Sequence, residues 1–243
     1  MKRIQLILLL VLGLVYSINC KSNKYHDAPI LREANRMEIK TTDELVIYYP
    51  QFKRIDLVCG NMPLPADTTA IFCCAAAFTG ELLDSFNHKN IAGHHVSRGK
   101  FYKGYTCKHN TGCFTYYDNS WNFLFKNYIN DLKYAAKRGG MGFSQNMIVY
   151  NFKAQPSFRK SQSKFQYRAL CEKEGKLCVV ESRHVMTYKE FIQLLEDLHV
   201  KYAMYLDMGR GWNHSWYRDN DSKTQIIHPK CHSYSTNWIV FFE

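Results

Sequence analysis

Residues Lys201 to Arg218 read K-Y-A-M-Y-L-D-M-G-R-G-W-N-H-S-W-Y-R. Tyr202 to Leu206 is apolar and aromatic over the length of a strand, and the character then changes abruptly. A single carboxylate, Asp207, is followed by Gly209 and Gly211. Asn213, His214, Ser215 and Arg218 then stand among Trp212, Trp216 and Tyr217. The pattern predicts a buried strand ending on an acid, with glycines that let a ligand approach the backbone beyond it. A strand leaving the core through an ordinary glycine turn is the competing reading.

Upstream of this stretch lies the best helix signal in the chain. Thr187 is a cap, Glu190 completes a capping box, and Phe191, Ile192, Leu194, Leu195 and Leu198 form an apolar stripe. Before it, Phe165 to Val180 reads as a hairpin. A two-residue turn at Glu174-Gly175 sets Cys171 opposite Cys178, and Arg168 sits in the first arm. An arginine on a half-buried strand is commonly an outward charge or a structural ion pair.

Further strands are expected at Glu44 to Tyr49, ended by Pro50, at Arg54 to Cys59, and at Ile71 to Phe78, whose small side chains imply close cover on both faces. Gly112 to Phe125 is expected to be a hairpin turning at Asp118 to Ser120. Asn127 to Arg138 is expected to be a helix stopped by Gly139-Gly140, and Gln145 to Tyr150 and the C-terminal N-W-I-V-F-F are expected strands. The fold class predicted is α+β, a mixed and largely antiparallel sheet core flanked by a few helices in one domain. His94 and His95 are adjacent and would point oppositely on a strand, so no metal site is assigned to them.

A chain of 243 residues with 46% hydrophobic and 15% aromatic content is globular rather than disordered. Residues 1–19 read as an export signal, with Lys2 and Arg3 before an apolar run from Ile4 to Val15. Residues 20–42 read as a tether and 43–243 as the folded domain. Cleavage after Ser17 and lipidation of Cys20 are both open, so contact with a membrane is expected only through such an anchor. The location expected is periplasmic, cell-envelope or secreted.

The formal charge is +11, of which Lys2 and Arg3 supply two. Such a charge suits an anionic partner such as a phosphate-bearing glycan, a polyanionic surface or nucleic acid, but the basic residues are scattered and no nucleic-acid motif appears, so a solvated basic surface is the default and no nucleic-acid partner is expected. There are nine cysteines. Cys171 with Cys178, and Cys107 with Cys113, are either disulfides or pairs of buried thiols. Cys73 and Cys74 are adjacent and would face opposite sides of a strand.

Three features occur in order: a small-residue strand ending Phe78-Thr79-Gly80, Arg168 before Ala169-Leu170 in a hairpin arm, and a strand ending Leu206-Asp207 with Gly209 beyond. This order resembles the phosphodiester glycosidase family, typified by the lysosomal enzyme that uncovers mannose 6-phosphate and by exported bacterial relatives. It covers about Leu45 to Glu243. Ala75 to Ala77 stand where the family has asparagine and glycine, and Met208 and Arg210 replace glycines.

The resemblance implies an exported hydrolase of a sugar–phosphate diester in a glycan. Arg168 would hold the phosphate with help from Arg218 or His94, and Asp207 would serve as general acid/base with His214 as a second proton-transfer group. Trp212 and Trp216 would stack on the sugar, and Phe78, Thr79, Gly209 and Asn213 would complete the binding surface. The cofactor is undetermined, with a divalent cation left open. The alternatives are a non-catalytic glycan-binding envelope protein on the same scaffold and, more remotely, a disulfide-rich structural envelope protein.

Overall fold

The computed structural model describes residues 36–66, 69–79, 91–105, 111–156, 162–209, 214–228 and 236–243. In chain order the strands are β1 (Met37–Thr41), β2 (Leu45–Pro50), β3 (Arg54–Gly60), β4 (Ala70–Ala75), β5 (His95–Ser97), β6 (Lys100–Tyr102), β7 (Thr111–Tyr117), β8 (Ser120–Phe125), β9 (Met141–Tyr150), β10 (Lys153–Ala154), β11 (Arg168–Lys173), β12 (Lys176–Ser182), β13 (Tyr202–Leu206), β14 (Ser215–Arg218), β15 (Thr224–His228) and β16 (Thr236–Phe242). Two helices are described: α1 (Ile129–Lys137), between β8 and β9, and α2 (Tyr188–Asp197), between β12 and β13. The larger sheet has the order β1-β2-β12-β11-β13-β9-β5-β6, with β7 and β10 also on β9 and β8 on β7, and the smaller is β15-β14-β4-β16-β3. Every pairing between these strands is antiparallel. The α+β expectation is therefore corrected: the described chain is predominantly β.

Alternation of side chains along the strands builds the layers. Tyr48, Leu170, Val179, Met204 and Leu206 of the larger sheet meet Phe72, Cys74, Ile239 and Phe241 of the smaller in one core. On the opposite face of the larger sheet, Ile47, Tyr49, Ala169, Val180, Ala203 and Tyr205 are covered by Phe191, Ile192 and Leu195 of α2. Cys73 lies with Trp216, Trp238 and Val240 in a third cluster, so Cys73 and Cys74 do face opposite ways.

The Thr187 hydroxyl accepts from the Glu190 N–H at 3.2 Å and the Glu190 carboxylate accepts from the Thr187 N–H at 2.6 Å, which makes the expected capping box. Helix α1 starts two residues later than predicted, because Lys126 and Asn127 have φ of 64° and 46° and cannot be helical. Strand β4 stops at Ala75 rather than Phe78. The Asn237 side chain takes the Ala77 N–H at 2.7 Å and its C=O at 3.0 Å, drawing the chain off the ladder. The end of the expected tether is strand β1, with Met37 buried; residues 1–35, with the predicted leader and Cys20, lie outside the described residues.

Cys171 and Cys178 are cross-strand partners, as the turn at Glu174 and Gly175, with φ of 53° and 71°, requires. Both are buried thiols, so the disulfide read as one alternative is not formed. Cys113 is also a buried thiol, and Cys107 lies outside the described residues.

Two loops near the strand ends approach unusually closely. A β-carbon on Gly104 would lie 2.3 Å from the Gly93 carbonyl oxygen and 2.6 Å from that of Ala92. Backbone there cannot yield as a side chain does. Gly104→Ala is expected to cost about 2–3 kcal/mol, read as a fall of roughly 5–10 °C in melting temperature. Gly175→Ala, with open space but left-handed φ, is expected to cost only about 1 kcal/mol in the same assay.

Candidate functional site

Strand register brings the ends of both sheets to one edge of the molecule. Arg168, the first residue of β11, pairs with Glu181 of β12 and with Leu206 of β13. Ser215, the first residue of β14, pairs with Cys74 of β4 and His228 of β15. The Asp207 N–H donates to the Ala76 carbonyl at 2.9 Å, tying the tip of β13 to the chain leaving β4. Beyond that tip the chain passes Phe78, whose carbonyl accepts from the Ala92 N–H at 2.9 Å. It returns through His94, whose carbonyl accepts from the Ser144 N–H at 2.9 Å. Buried polar residues gather at this edge, among them Thr79, His94, Gln145, Asn146, Ser182, Asp207, His214 and Asn237. Burial of polar groups is costly unless each is hydrogen-bonded, so such a concentration marks a built region.

Arg168 is 0% exposed. Its Nε and Nη2 donate to Glu181 Oε2 at 2.8 and 2.7 Å, and Nη2 also donates to Ser215 Oγ at 2.7 Å. The other oxygen of Glu181 meets His228 Nε2. Burial works against the charge on both partners. It is outweighed by their mutual attraction, so the Arg168 pKa stays above and the Glu181 pKa below its ordinary value. The same burial pushes the Cys74 thiol, which hydrogen-bonds Arg168, up to about 12. Tyr48, beside Glu181, is also raised, first by burial and then by that carboxylate. Arg168 is thus an inter-sheet clamp. With no exposed surface, and with Nε and Nη2 engaged by Glu181 and Ser215, it does not stand at a ligand surface, which corrects the expectation of a phosphate-holding arginine there.

Glu181 gives a pH prediction whose sign follows from its lowered pKa. Its contribution to stability is complete above the unfolded value near 4.5 and is lost as pH falls through the depressed folded value. Urea unfolding at pH 7 and at stepped acid pH is expected to show the wild type losing stability below about pH 4.5. Glu181→Gln should start lower at pH 7 and lack that component.

Asp207 closes an Asx turn: its Oδ1 accepts from the Gly209 N–H at 3.0 Å, which fixes the carboxylate at the strand tip. His214 is buried, and its Nδ1 donates to the His228 carbonyl. A neutral ring held in that tautomer carries its lone pair on Nε2. His94 accepts the Gly104 N–H on Nδ1 at 3.2 Å, so its neutral ring bears the proton on Nε2. Burial, and then the Lys103 charge, pull the His94 pKa below its ordinary value.

The remaining predicted residues divide. Thr79 is buried at the edge described above, and Phe78 packs its ring 5.6 Å from that of Tyr205. Trp216 is fully buried on the outer face of the smaller sheet and donates to the Pro63 carbonyl at 3.2 Å, so the expectation that it stacks on a sugar is corrected. Arg218 lies at the far end of β14. It donates to the carbonyls of Pro65 at 2.7 Å, Ala70 at 3.2 Å and Ser222 at 3.2 Å, which makes it a staple for that end and not a partner of Arg168. Trp212 and Asn213 lie outside the described residues. The residues the sequence reading did not single out are Glu181, His228 and Asn237.

Comparison with family profiles gives no match, and comparison with curated proteins gives none. Solved structures do match in fold. The catalytic domain of zebrafish N-acetylglucosamine-1-phosphodiester alpha-N-acetylglucosaminidase, auto-inhibited by its pro-peptide, superposes with a TM-score of 0.57 at 13% identity, over 90% of this chain and 85% of that one. A hypothetical protein from Synechocystis gives a TM-score of 0.52 at 10% identity, over 85% of this chain and 61% of that one. At these identities the likeness is one of fold.

Proposed function

We propose that this chain is an exported glycan-directed hydrolase that cleaves a sugar–phosphate diester. The observation that carries the reading is that a tethered carboxylate, Asp207, bonded through its N–H to Ala76, and an oriented imidazole, His214, next to the Ser215 that pairs with Cys74, both stand where the chain leaves β4. The fold likeness to a phosphodiester glycosidase domain supports the choice of reaction. Asp207 gives a proton to the bridging oxygen as its bond to the sugar breaks, and His214 Nε2 takes a proton from the water that adds to the sugar carbon. His94 Nε2–H and Thr79 contact the phosphate or sugar hydroxyls. Among the described residues no group of three or more His, Cys, Asp or Glu side chains is placed to hold a metal ion, and no step is routed through one. Export belongs to the proposal and rests on residues 1–20 alone, with cleavage after Ser17 and lipidation of Cys20 as its two forms.

A second reading has an observation of its own. Arg168, the cation expected to meet the phosphate, is matched internally by Glu181, as in a binding module that holds a glycan without turning it over. The separating experiment measures glycan binding and product release together on an N-acetylglucosamine-1-phosphodiester. Release that depends on Asp207 supports the hydrolase; retained affinity with no release supports the binding module.

A further inference from the structure

The basic residues that look scattered in sequence are gathered by the fold. The turn between β5 and β6, at Arg98 and Gly99 with φ of 51° and 68°, seats against the C-terminal end of α1: the Gly99 N–H donates to the Gly140 carbonyl at 3.3 Å. Arg98, Lys100 and Lys103 from the hairpin and Lys133 and Lys137 from α1 are all exposed. None of the five takes part in an ion pair among the described residues, whereas Arg36, Lys40, Arg54, Lys173 and Lys201 elsewhere, and Arg138 at the end of α1, do.

Two bland explanations apply to single members. Lysine on the edge strand β6 deters strand pairing, and Lys137 suits the negative end of a helix. Neither explains why the ammonium groups are held over rings. Lys133 Nζ sits 5.8 Å from the Phe101 ring centre and Lys100 Nζ 5.3 Å from that of Tyr102. These rings are themselves stacked on His94, at 6.1 Å, and His95, at 4.9 Å. Cations parked this way lose less conformational freedom on meeting an anion than free lysines do. Tyr105, 53% exposed, adds an aromatic face beside Lys103. The patch runs into the strand-end region, since Phe101 stacks on His94.

We infer that the face formed by the β5–β6 hairpin and α1 is a docking surface for an anionic polysaccharide, which it holds alongside the strand-end site. The choice of a polysaccharide over a nucleic acid rests on the glycan reading proposed above; the binding itself needs no turnover, so a catalytically silent protein leaves it testable.

The probe is heparin, on agarose and free in solution. The combined variant Lys100→Glu, Lys103→Glu, Lys133→Glu is compared with Lys153→Glu, Lys176→Glu, Lys189→Glu, which makes the same change in net charge on β10, the start of β12 and α2. Near-UV circular dichroism confirms that both are folded. The hairpin–helix variant is expected to elute at much lower salt, its slope of log affinity against log salt reduced by roughly one for each lysine removed. The distant variant should elute close to the wild type. Equal shifts in the two variants would overturn the proposal by making the effect one of diffuse charge. Competition by duplex DNA as strong as by heparin at equal charge would overturn the polysaccharide assignment.

Discussion

Arg168→Ala is expected to destabilise the protein by about 3–5 kcal/mol, the cost of removing one partner from a buried ion pair. At 2–4 °C per kcal/mol this is a fall of roughly 6–20 °C in melting temperature. The cause is what remains behind. Glu181, 5% exposed, would keep its carboxylate between the two sheets beside His228, and Ser215 Oγ would lose its guanidinium donor. Either Glu181 takes up a proton, at the cost of its lowered pKa, or water enters between Tyr48 and Cys74. The combined variant Arg168→Met, Glu181→Gln removes both charges and is expected to recover most of the loss, because a buried pair replaced as a unit is often near neutral. A ligand-facing arginine would behave differently, with Arg168→Ala nearly as stable as the wild type and weakened only in substrate affinity. Urea unfolding of the three proteins at pH 7 decides; a loss below about 1 kcal/mol for the single variant would remove the clamp.

That role was partly legible in the sequence. The turn at Glu174-Gly175 that sets Cys171 opposite Cys178 also sets Arg168 opposite Glu181, three residues further along each arm. A structural ion pair is one of the readings an arginine on a half-buried strand invites, and the structure bears it out; what the residues do not give directly is the partner, Glu181. The capping box of α2 and the buried strand ending at Asp207 were legible because each depends on residues close in sequence. No local signal marks Ser215 to Arg218 as a strand, because glycines precede it and polar and aromatic residues are mixed in it. As strand β14, its alternation turns Ser215 and Tyr217 inward and sends Trp216 and Arg218 to the other face. No local signal reveals Asn237. Its side chain acts on Ala77, 160 positions away, and only the pairing of β16 with β4 brings them together. The basic face is hidden for the same reason, since β5, β6 and α1 contribute to it from separate stretches and β5 and β6 are three residues each.

Asp207→Asn is expected to lower turnover of a sugar phosphodiester by roughly 10²–10⁴-fold, the usual range for a positioned proton-transfer group. The fold should be unaffected. The carboxamide oxygen of asparagine accepts the Gly209 N–H as Oδ1 does now, and the Asp207 N–H to Ala76 bond is backbone, so the Asx turn and the strand tip persist. A stability change within about 1 kcal/mol is therefore expected beside the loss of rate, with KM little altered. His214→Gln should likewise lower the rate while sparing the fold, since an amide can replace the donor to the His228 carbonyl but cannot carry a proton. The pH–rate profile separates the two: removing either group deletes one limb of the wild-type curve. Full turnover in Asp207→Asn would leave the strand tip without chemistry. Retained glycan binding with no turnover even in the wild type would make the edge a recognition surface in which Asp207 serves to shape the loop that follows it.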